Sequence, residues 1–529
     1  MSSALAPALI AAEPLIDANA IDYLIVGLYF VFVMGIGLAA RRAVSDSIDF
    51  FLSGRSLPAW VTGLAFISAN LGAVEIMGMS ANGAKYGLPT VHYFWVGAIP
   101  AMLFLGIVMM PFYYGSKVRS VPEFMLRRFG KGAHLVNAIS FAVAQLLIAG
   151  VNLFLLGSIV HALLGWPLWV ALIVAAPAKA EVAPAAQQLE SWPGQALTGF
   201  DSGFLSVIGI VFGLGFVLSF GYWTTNFVEV QRAMASNSIS SARKTPIIGA
   251  FPKMFVPFIV ILPGMVAAVL VQEIMDLKNG GTPAGGASGE GVKYNDALLL
   301  LMRDVLPNGL LGLAIAGLLA AFMAGMAANI SAFNTVFSYD LWERYIRKDR
   351  SDDYYLRIGR LATVAATIIA IFTASIAGGF SNIMDYLQTL FGFFNAPLFA
   401  TFILGMFWKR MTPTAGWAGL VAGTLSAVMV AFLSKDSFGT ASLGVIPLEG
   451  QGASFVAAST AFVVDIVVSV AVSLVTKPKP ASELKGLVYS ETPKEDLVDP
   501  EEAGRPWFQR TIPLAIIAGV LVLILNFSF

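Results

Sequence analysis

Long apolar stretches separated by short polar ones make up most of this chain. Each apolar stretch is close to the ~20 residues that a helix needs to cross a bilayer. The pattern predicts helices over 21–40, 60–82, 91–114, 135–165, 204–228, 247–272, 309–337, 358–379, 383–408, 415–434, 454–476 and 511–528. We therefore expect an all-α polytopic membrane protein, with a transmembrane bundle over 21–476 and a terminal transmembrane helix within 511–529.

Lysines and arginines gather in every second connection between the predicted helices. They lie within 41–55, 117–131, 232–244, 344–350, 409–410 and 477–485. Because basic residues near span ends favour the cytoplasm, this alternation predicts a cytoplasmic loop over 477–510 and an extracellular N-terminal tail over 1–20. The expected location is the plasma membrane, with multiple spans in the lipid bilayer.

Three segments between the predicted helices are neither regular spans nor short loops. The apolar stretch 165–176 is followed at once by Pro177 and is too short to span comfortably, so we expect it to dip into the membrane or pack on the bundle. Residues 177–203 are rich in Ala, Pro and Gln and are predicted to form an external linker. The segment 273–308 carries two Gly-Gly pairs and is predicted to be a flexible external loop.

One predicted span has an unusual centre, which runs from Ser68 to Glu75. A carboxyl group near the bilayer midplane costs roughly 2.5–3.5 kcal/mol on insertion scales, so Glu75 should face protein, water or a ligand. The neighbouring Asn70 and Gly72 favour an unwound helix. Interrupted helices whose freed backbone lines a cavity form the substrate sites of many secondary transporters, which makes this segment the best indication of function.

Composition supports a membrane setting and excludes other classes. Hydrophobic residues make up 57% of the chain, charged residues 12%, and the mean hydropathy is +0.78. The chain has no Cys and 3 His, which excludes disulfides and argues against a metal cluster, and its net charge of zero argues against a nucleic-acid partner. The spans contain no nucleophile–base–acid set, so we predict neither an enzyme nor a cofactor.

Several motifs together resemble the sodium/solute symporter family, in particular its sodium:sugar cotransporters. They are Ser56-Leu57-Pro58-Ala59-Trp60 with Asn70, Gly78-Met79-Ser80 and Tyr86-Gly87; Val121-Pro122-Glu123-Phe124; Gln231-Arg232; Phe251-Pro252-Lys253; Leu262-Pro263-Gly264; and Gly405-Met406-Phe407-Trp408-Lys409-Arg410. The resemblance implies a leucine-transporter-like bundle of two inverted five-helix repeats. It also implies ligand sites at the broken first and sixth core helices.

The first repeat departs from the family pattern. The family continues from its fourth core helix into a fifth, whereas here the stretch 165–176 leads directly into 177–203. About two spans are therefore absent, and the first repeat is predicted to be truncated. A natural loss and a gene-model deletion both remain open.

The coupling ion is a second departure. The resemblance implies a sodium site built from backbone carbonyls of Ser68, Leu71 and Ala321, together with two hydroxyls. The matching positions here are Ala324 and Gly325, which carry no hydroxyl. Sodium needs several hard oxygen ligands, so sodium, protons or no coupling ion all remain open.

The resemblance implies five solute-binding positions, which are Asn70, Glu75, Tyr222, Lys253 and Gln388. Tyr222 occupies the position of a gating tyrosine. The positions where sugar-binding members carry larger or more polar ligands are occupied by Phe94, Gly97, Ile148 and Ser219. Since unpaired buried polar groups of a sugar cost about 1–3 kcal/mol each, a sugar is one option among small polar organic solutes.

Structural alternatives stand beside these roles. Glu75 and Lys253 would also make a buried salt bridge, Tyr222 would suit an interfacial aromatic belt, and Gln388 would suit a solvated helix cap. Asp465 is expected to make a structural pairing, and Glu229 an i,i+3 ion pair with Arg232.

The function predicted from these observations is secondary active symport. A small polar organic solute such as a sugar, coupled to sodium or protons, would cross the plasma membrane by alternating access. The alternative is a non-transporting membrane sensor or interaction protein that keeps the transporter scaffold.

Overall fold

The structure is a computed structural model. It describes residues 15–40, 56–115, 118, 120–164, 190–283, 291–380, 382–435, 442–493, 497, 499, 501–502 and 504–529. Among these, eleven helices are long and apolar enough to cross a bilayer, and one further bent helix pair makes twelve. The described residues contain no strand, only two isolated bridges between extended residues.

The helices of the first half are α1 (Ala20–Ala40), α2 (Ala59–Asn70), α3 (Ala73–Tyr86), α4 (Leu88–Tyr114), α5 (Val121–Phe129), α6 (Lys131–Leu164), α7 (Gly203–Thr225) and α8 (Phe227–Met234). Those of the second half are α9 (Ile239–Lys253), α10 (Val256–Leu270), α11 (Gln272–Lys278), α12 (Ala297–Val305), α13 (Leu310–Ile346), α14 (Asp352–Gly378), α15 (Ile383–Phe407), α16 (Pro413–Leu433), α17 (Gly450–Val475) and α18 (Thr511–Ser528). The all-α polytopic architecture predicted from the apolar stretches is confirmed.

The predicted break in the Ser68–Glu75 segment is present. Leu71 has φ −75° and ψ 57°, and Gly72 is extended with ψ 174°, so the helix stops at Asn70 and restarts at Ala73. The two halves are bent by 55°. A second break lies at Asn226, where ψ is 116° and the side-chain oxygen caps the next helix by accepting a hydrogen bond from Val228 N at 3.0 Å.

Some boundaries differ from the predicted ones because polar residues enter the helices. The predicted helix 247–272 begins at Ile239, so Arg243 and Lys244 lie inside α9 and are buried. Asp499, Glu502 and Arg505, in the segment before α18, all interact electrostatically with Lys244. Interactions with a distant part of the chain are invisible to a local apolar pattern.

The loops also differ from simple connections. The loop 273–308 contains most of α11 and the whole of α12, whose apolar residues form a separate cluster with Ala81 and Ala267. The stretch 165–176 and the linker residues 177–189 lie outside the described residues. The rest of the linker packs on the bundle, and Ser191 O lies 2.7 Å from His92 Nε2.

Close packing of α3 on α10 fixes the second half of the broken helix. The Ser80 hydroxyl donates to Val260 O at 2.6 Å, and a Cβ on Gly264 would overlap the backbone of Ser80. Glycine allows this approach of two backbones, as in other membrane helix pairs.

Replacing Gly264 by alanine should therefore destabilise the protein by roughly 1–3 kcal/mol, the usual cost of overpacking. The measurement is the fraction of purified protein that stays monodisperse after heating. Gly317→Ala is the matched control, because nothing lies within 4 Å of a Cβ at that position. Equal melting of the two variants would contradict the packing argument.

Candidate functional site

The two helix breaks meet inside the bundle. The Asn70 amide, at the end of α2, donates to the Tyr222 hydroxyl at 3.2 Å and to Glu229 Oε1 at 3.5 Å. The Tyr222 hydroxyl also donates to Glu229 Oε1, at 2.9 Å. We call Asn70, Tyr222 and Glu229 the gate cluster. Their hydrogen bonds tie α2 and α7 to α8 at the two helix breaks.

A cavity lies next to the gate cluster. It offers about 120 Å³ to the centre of a water-sized molecule, and a single water needs about 10–15 Å³ by that measure. A small organic solute therefore fits. Residues from the broken helices and from α4, α6, α9, α13 and α15 line it, including Asn70, Glu75, Phe94, Asn152, Tyr222, Trp223, Lys253, Asn329, Gln388 and Phe391.

Lys253 is the central charged residue of the cavity wall. Its ammonium group contacts both the Glu75 carboxylate and the Asn70 side-chain oxygen. It also lies 5.0 Å from the ring centre of Phe94, a distance at which an ammonium group is attracted to the face of an aromatic ring. The Lys253 side chain is 1% exposed, so this ion pair is part of the wall.

All five predicted solute-binding residues line this one cavity. Gln388 is 4% exposed, which contradicts the solvated-cap alternative, and Asn382 caps α15 instead by accepting from Met384 N at 2.9 Å. Tyr222 packs on Phe391 with 4.7 Å between ring centres, inside the bundle and away from an interfacial belt.

The predicted pairing of Glu229 with Arg232 is present as an electrostatic interaction, but the described residues show no direct salt bridge between the two side chains. Glu229 is 0% exposed and its carboxylate accepts hydrogen bonds from Tyr222 and Asn70 instead. The spacing along the sequence could reveal only the neighbour of Glu229 on the same helix.

Asp465 does make a structural pairing, with the hydroxyls of Thr401 at 2.8 Å and Ser469 at 3.0 Å.

Of the three predicted sodium ligands, Ala321 lies at the contact of the first break with α13. An ideal Cβ on Gly72 would be 3.4 Å from Gly325 Cα and 3.5 Å from Ala321 O. Leu71 is adjacent to this contact, while the Ser68 side chain is exposed. The structure therefore brings Ala321 to the unwound backbone, as the resemblance implies.

A second polar cluster lies on α15 one helical turn from the cavity residue Gln388. Asp385 accepts hydrogen bonds from Lys85 at 2.9 Å, from Tyr86 at 3.0 Å and from Gln451 at 2.5 Å. The sequence patterns did not point to this cluster, to Asn152 or to Asn329. For Asn152 a signal existed, because it is one of three buried amides, with Asn137 and Gln145, inside the apolar helix α6.

Several known transporters are similar in sequence to most of this chain. The sodium/glucose cotransporter of Vibrio parahaemolyticus is 27% identical over 465 residues, covering 78% of this chain and 85% of that protein. Sodium/glucose cotransporter 1 of Ovis aries is 26% identical over 579 residues, covering 93% and 85%. Sodium/myo-inositol cotransporter 2 of Rattus norvegicus is 25% identical, covering 76% and 69%.

A solved structure shares the fold. The substrate-bound, outward-open state of a Na+-coupled sialic acid symporter aligns with a TM-score of 0.62 at 16% identity, covering 87% of this chain and 99% of that chain. The model of the sodium:solute symporter family matches residues 50–180 and 178–423. Since these matches cover more than half of the sequence, the chain belongs to the sodium:solute symporter family.

Proposed function

We propose that this protein is a sodium-coupled symporter that carries an uncharged, hydroxyl-rich solute of monosaccharide or cyclic-polyol size across the plasma membrane. The cavity at the two helix breaks is the observation that supports this most directly. The relatives named for glucose and myo-inositol support the solute class.

The charges of the cavity favour an uncharged solute. Lys253 is already neutralised by Glu75, so neither offers an unpaired charge to a charged solute. The Gln388 amide has no protein hydrogen-bond partner among the described residues and is free to bind hydroxyls. The aromatic rings of Phe94, Trp223 and Phe391 offer apolar faces, which suit the C–H faces of a sugar ring.

In an alternating-access cycle, the two polar clusters act as gates at the two ends of the cavity. α2 and the end of α8 reach the same end of the bundle, where Leu57 N donates to Ala235 O at 3.4 Å. The gate cluster lies between the cavity and that end. Opening it would release the solute, while the Asp385 cluster holds the other side closed.

The test is uptake into proteoliposomes that contain the purified full-length protein. Radiolabelled D-glucose, D-galactose and myo-inositol are the probes, and we expect an inward sodium gradient to accelerate uptake of at least one of them several-fold. Protein-free liposomes and equal potassium on both sides are the controls.

Uptake that persists unchanged after both sodium and proton gradients are collapsed would remove the coupling. Saturable binding without flux would instead support a sensor. Sodium-driven uptake of an anionic sugar acid, with none of the three probes carried, would overturn the uncharged solute class.

We also infer that the first repeat lacks a segment near residue 178. The two matches to the family model meet at 178–180. The alignment with the Ovis aries relative runs over 579 residues, more than the 529 of this chain, so parts of that relative have no counterpart here. Sequencing the source gene across residues 170–205 distinguishes a natural shortening from an omitted coding segment.

A further inference from the structure

A buried amide oxygen without a partner lies in the wall of the cavity. Asn152, on α6, is 1% exposed, and its Nδ2 donates to Ile148 O at 3.1 Å. That bond fixes the orientation of the side-chain amide, because the Ile148 carbonyl can accept a hydrogen bond only from the amide nitrogen of Asn152. The Asn152 Oδ1 atom then faces the other way and has no hydrogen-bond partner among the described residues. Buried acceptors normally have a partner, so this oxygen has room for one from a bound ion, a solute or a water molecule.

The free oxygen is directed at the contact between the unwound segment and α13. An ideal Cβ on Gly325 would lie 3.5 Å from Asn152 Oδ1 and 3.4 Å from Gly72 Cα. An ideal Cβ on Gly72 would in turn lie 3.5 Å from the carbonyl oxygen of Ala321, which therefore borders the same contact. Three separate elements thus bring oxygen atoms and freed backbone to one place.

We propose that Asn152 Oδ1 is a ligand of the co-transported sodium ion and takes over the role of the hydroxyls that Ala324 and Gly325 lack. This inference rests on the proposed sodium symport. A neutral amide oxygen is a hard ligand of the kind that such cations prefer.

The surroundings favour a monovalent ion over a divalent one. The part of the chain that the structure describes holds no group of three or more His, Cys, Asp or Glu residues suited to a metal ion. Carbonyl and amide oxygens around the unwound backbone supply partial charges only, as suits an ion that must be released on every transport cycle.

The experiment measures equilibrium binding of ²²Na+ to the purified full-length protein in detergent, without solute. Asn152→Ala should raise the Kd for sodium roughly tenfold, which corresponds to about 1.4 kcal/mol. The matched control is Gln145→Ala. Gln145 lies on the same helix, is 2% exposed and has an unpartnered Oε1, but it borders a different pocket beside Asn137 and Asn395. Its loss should leave sodium binding unchanged.

A rescue variant makes the assignment specific. Adding Gly325→Ser to Asn152→Ala should recover most of the sodium affinity, because a serine there restores a hydroxyl and its Cβ meets only ordinary contacts of 3.4 Å and 3.5 Å. If Asn152→Ala fails to fold, Asn152→Asp keeps the oxygen, and sodium should raise its melting temperature more than that of the wild type.

Each outcome separates this inference from the proposed function. Wild-type sodium affinity in Asn152→Ala would overturn the inference while leaving sodium symport intact. Weaker solute uptake at unchanged sodium affinity would assign Asn152 to the solute and overturn it equally. A wild-type protein with neither saturable ²²Na+ binding nor sodium-driven uptake would overturn both.

Discussion

Replacing Lys253 by methionine should abolish sodium-driven uptake and lower the stability of the protein. The Lys253 ammonium group contacts the Glu75 carboxylate and the Asn70 side-chain oxygen, and the side chain is 1% exposed. Removing one partner of a buried ion pair leaves the other charge uncompensated, which costs about 3–5 kcal/mol. Uptake in proteoliposomes and the thermal midpoint of the purified protein measure the two effects.

The double variant Glu75→Gln/Lys253→Met separates the structural role of Lys253 from its role in transport. Because it removes both charges, we expect it to regain most of the lost stability, and a double-mutant cycle gives the coupling free energy. It should remain inactive if Lys253 also contacts the solute. Recovery of uptake together with stability would reduce Lys253 to a structural partner.

Lys435→Met is the control for loss of a lysine. Lys435 forms a 3.9 Å pair with Glu449 at the surface, and exposed pairs contribute about 0–1 kcal/mol. Both stability and uptake should stay at wild-type values.

A changed pH profile of uptake in Glu75→Gln alone would assign Glu75 a proton-carrying role, whereas an unchanged profile supports the structural ion pair.

The spans and the first break follow from local features of the sequence. Apolar stretches of about twenty residues have few structures open to them in a bilayer other than a helix. Asn70 and Gly72 weaken the helix close to Glu75, whose carboxyl group disfavours contact with lipid. Both the break and the burial of Glu75 could therefore be predicted.

What the sequence did not reveal depends on contacts between distant elements. Glu229 bonds to Asn70 and Tyr222 across three helices, and no local spacing shows this. Arg243 and Lys244 likewise interact electrostatically with Glu502, which lies about 250 positions further along the chain. The solute-binding residues were found through family resemblance, since physical reasoning from sequence alone singled out only Glu75 and its unwound neighbours.

Replacing Glu229 by leucine should open the cavity toward the end of the bundle that carries α2 and α8. Glu229 Oε1 accepts hydrogen bonds from the Tyr222 hydroxyl at 2.9 Å and from the Asn70 amide at 3.5 Å. Removing this acceptor leaves the two buried donors unpaired, at a cost of about 1–3 kcal/mol each, and 1.4 kcal/mol corresponds to a tenfold change in an equilibrium constant. Loss of this acceptor should therefore raise the population of the open gate at least tenfold.

The absence of native cysteine makes this gate directly measurable. Ser219→Cys places a single thiol in the cavity wall, where a membrane-impermeant thiol reagent reports access from each side of the membrane. In the Glu229→Leu background, the thiol should react at least ten times faster from the gate side only. Glu229→Gln is the matched control, because its amide oxygen still accepts both hydrogen bonds and should preserve the slow rate. Equal rates in both backgrounds, or a faster reaction from the Asp385 side, would show that the gate cluster does not close this end of the cavity.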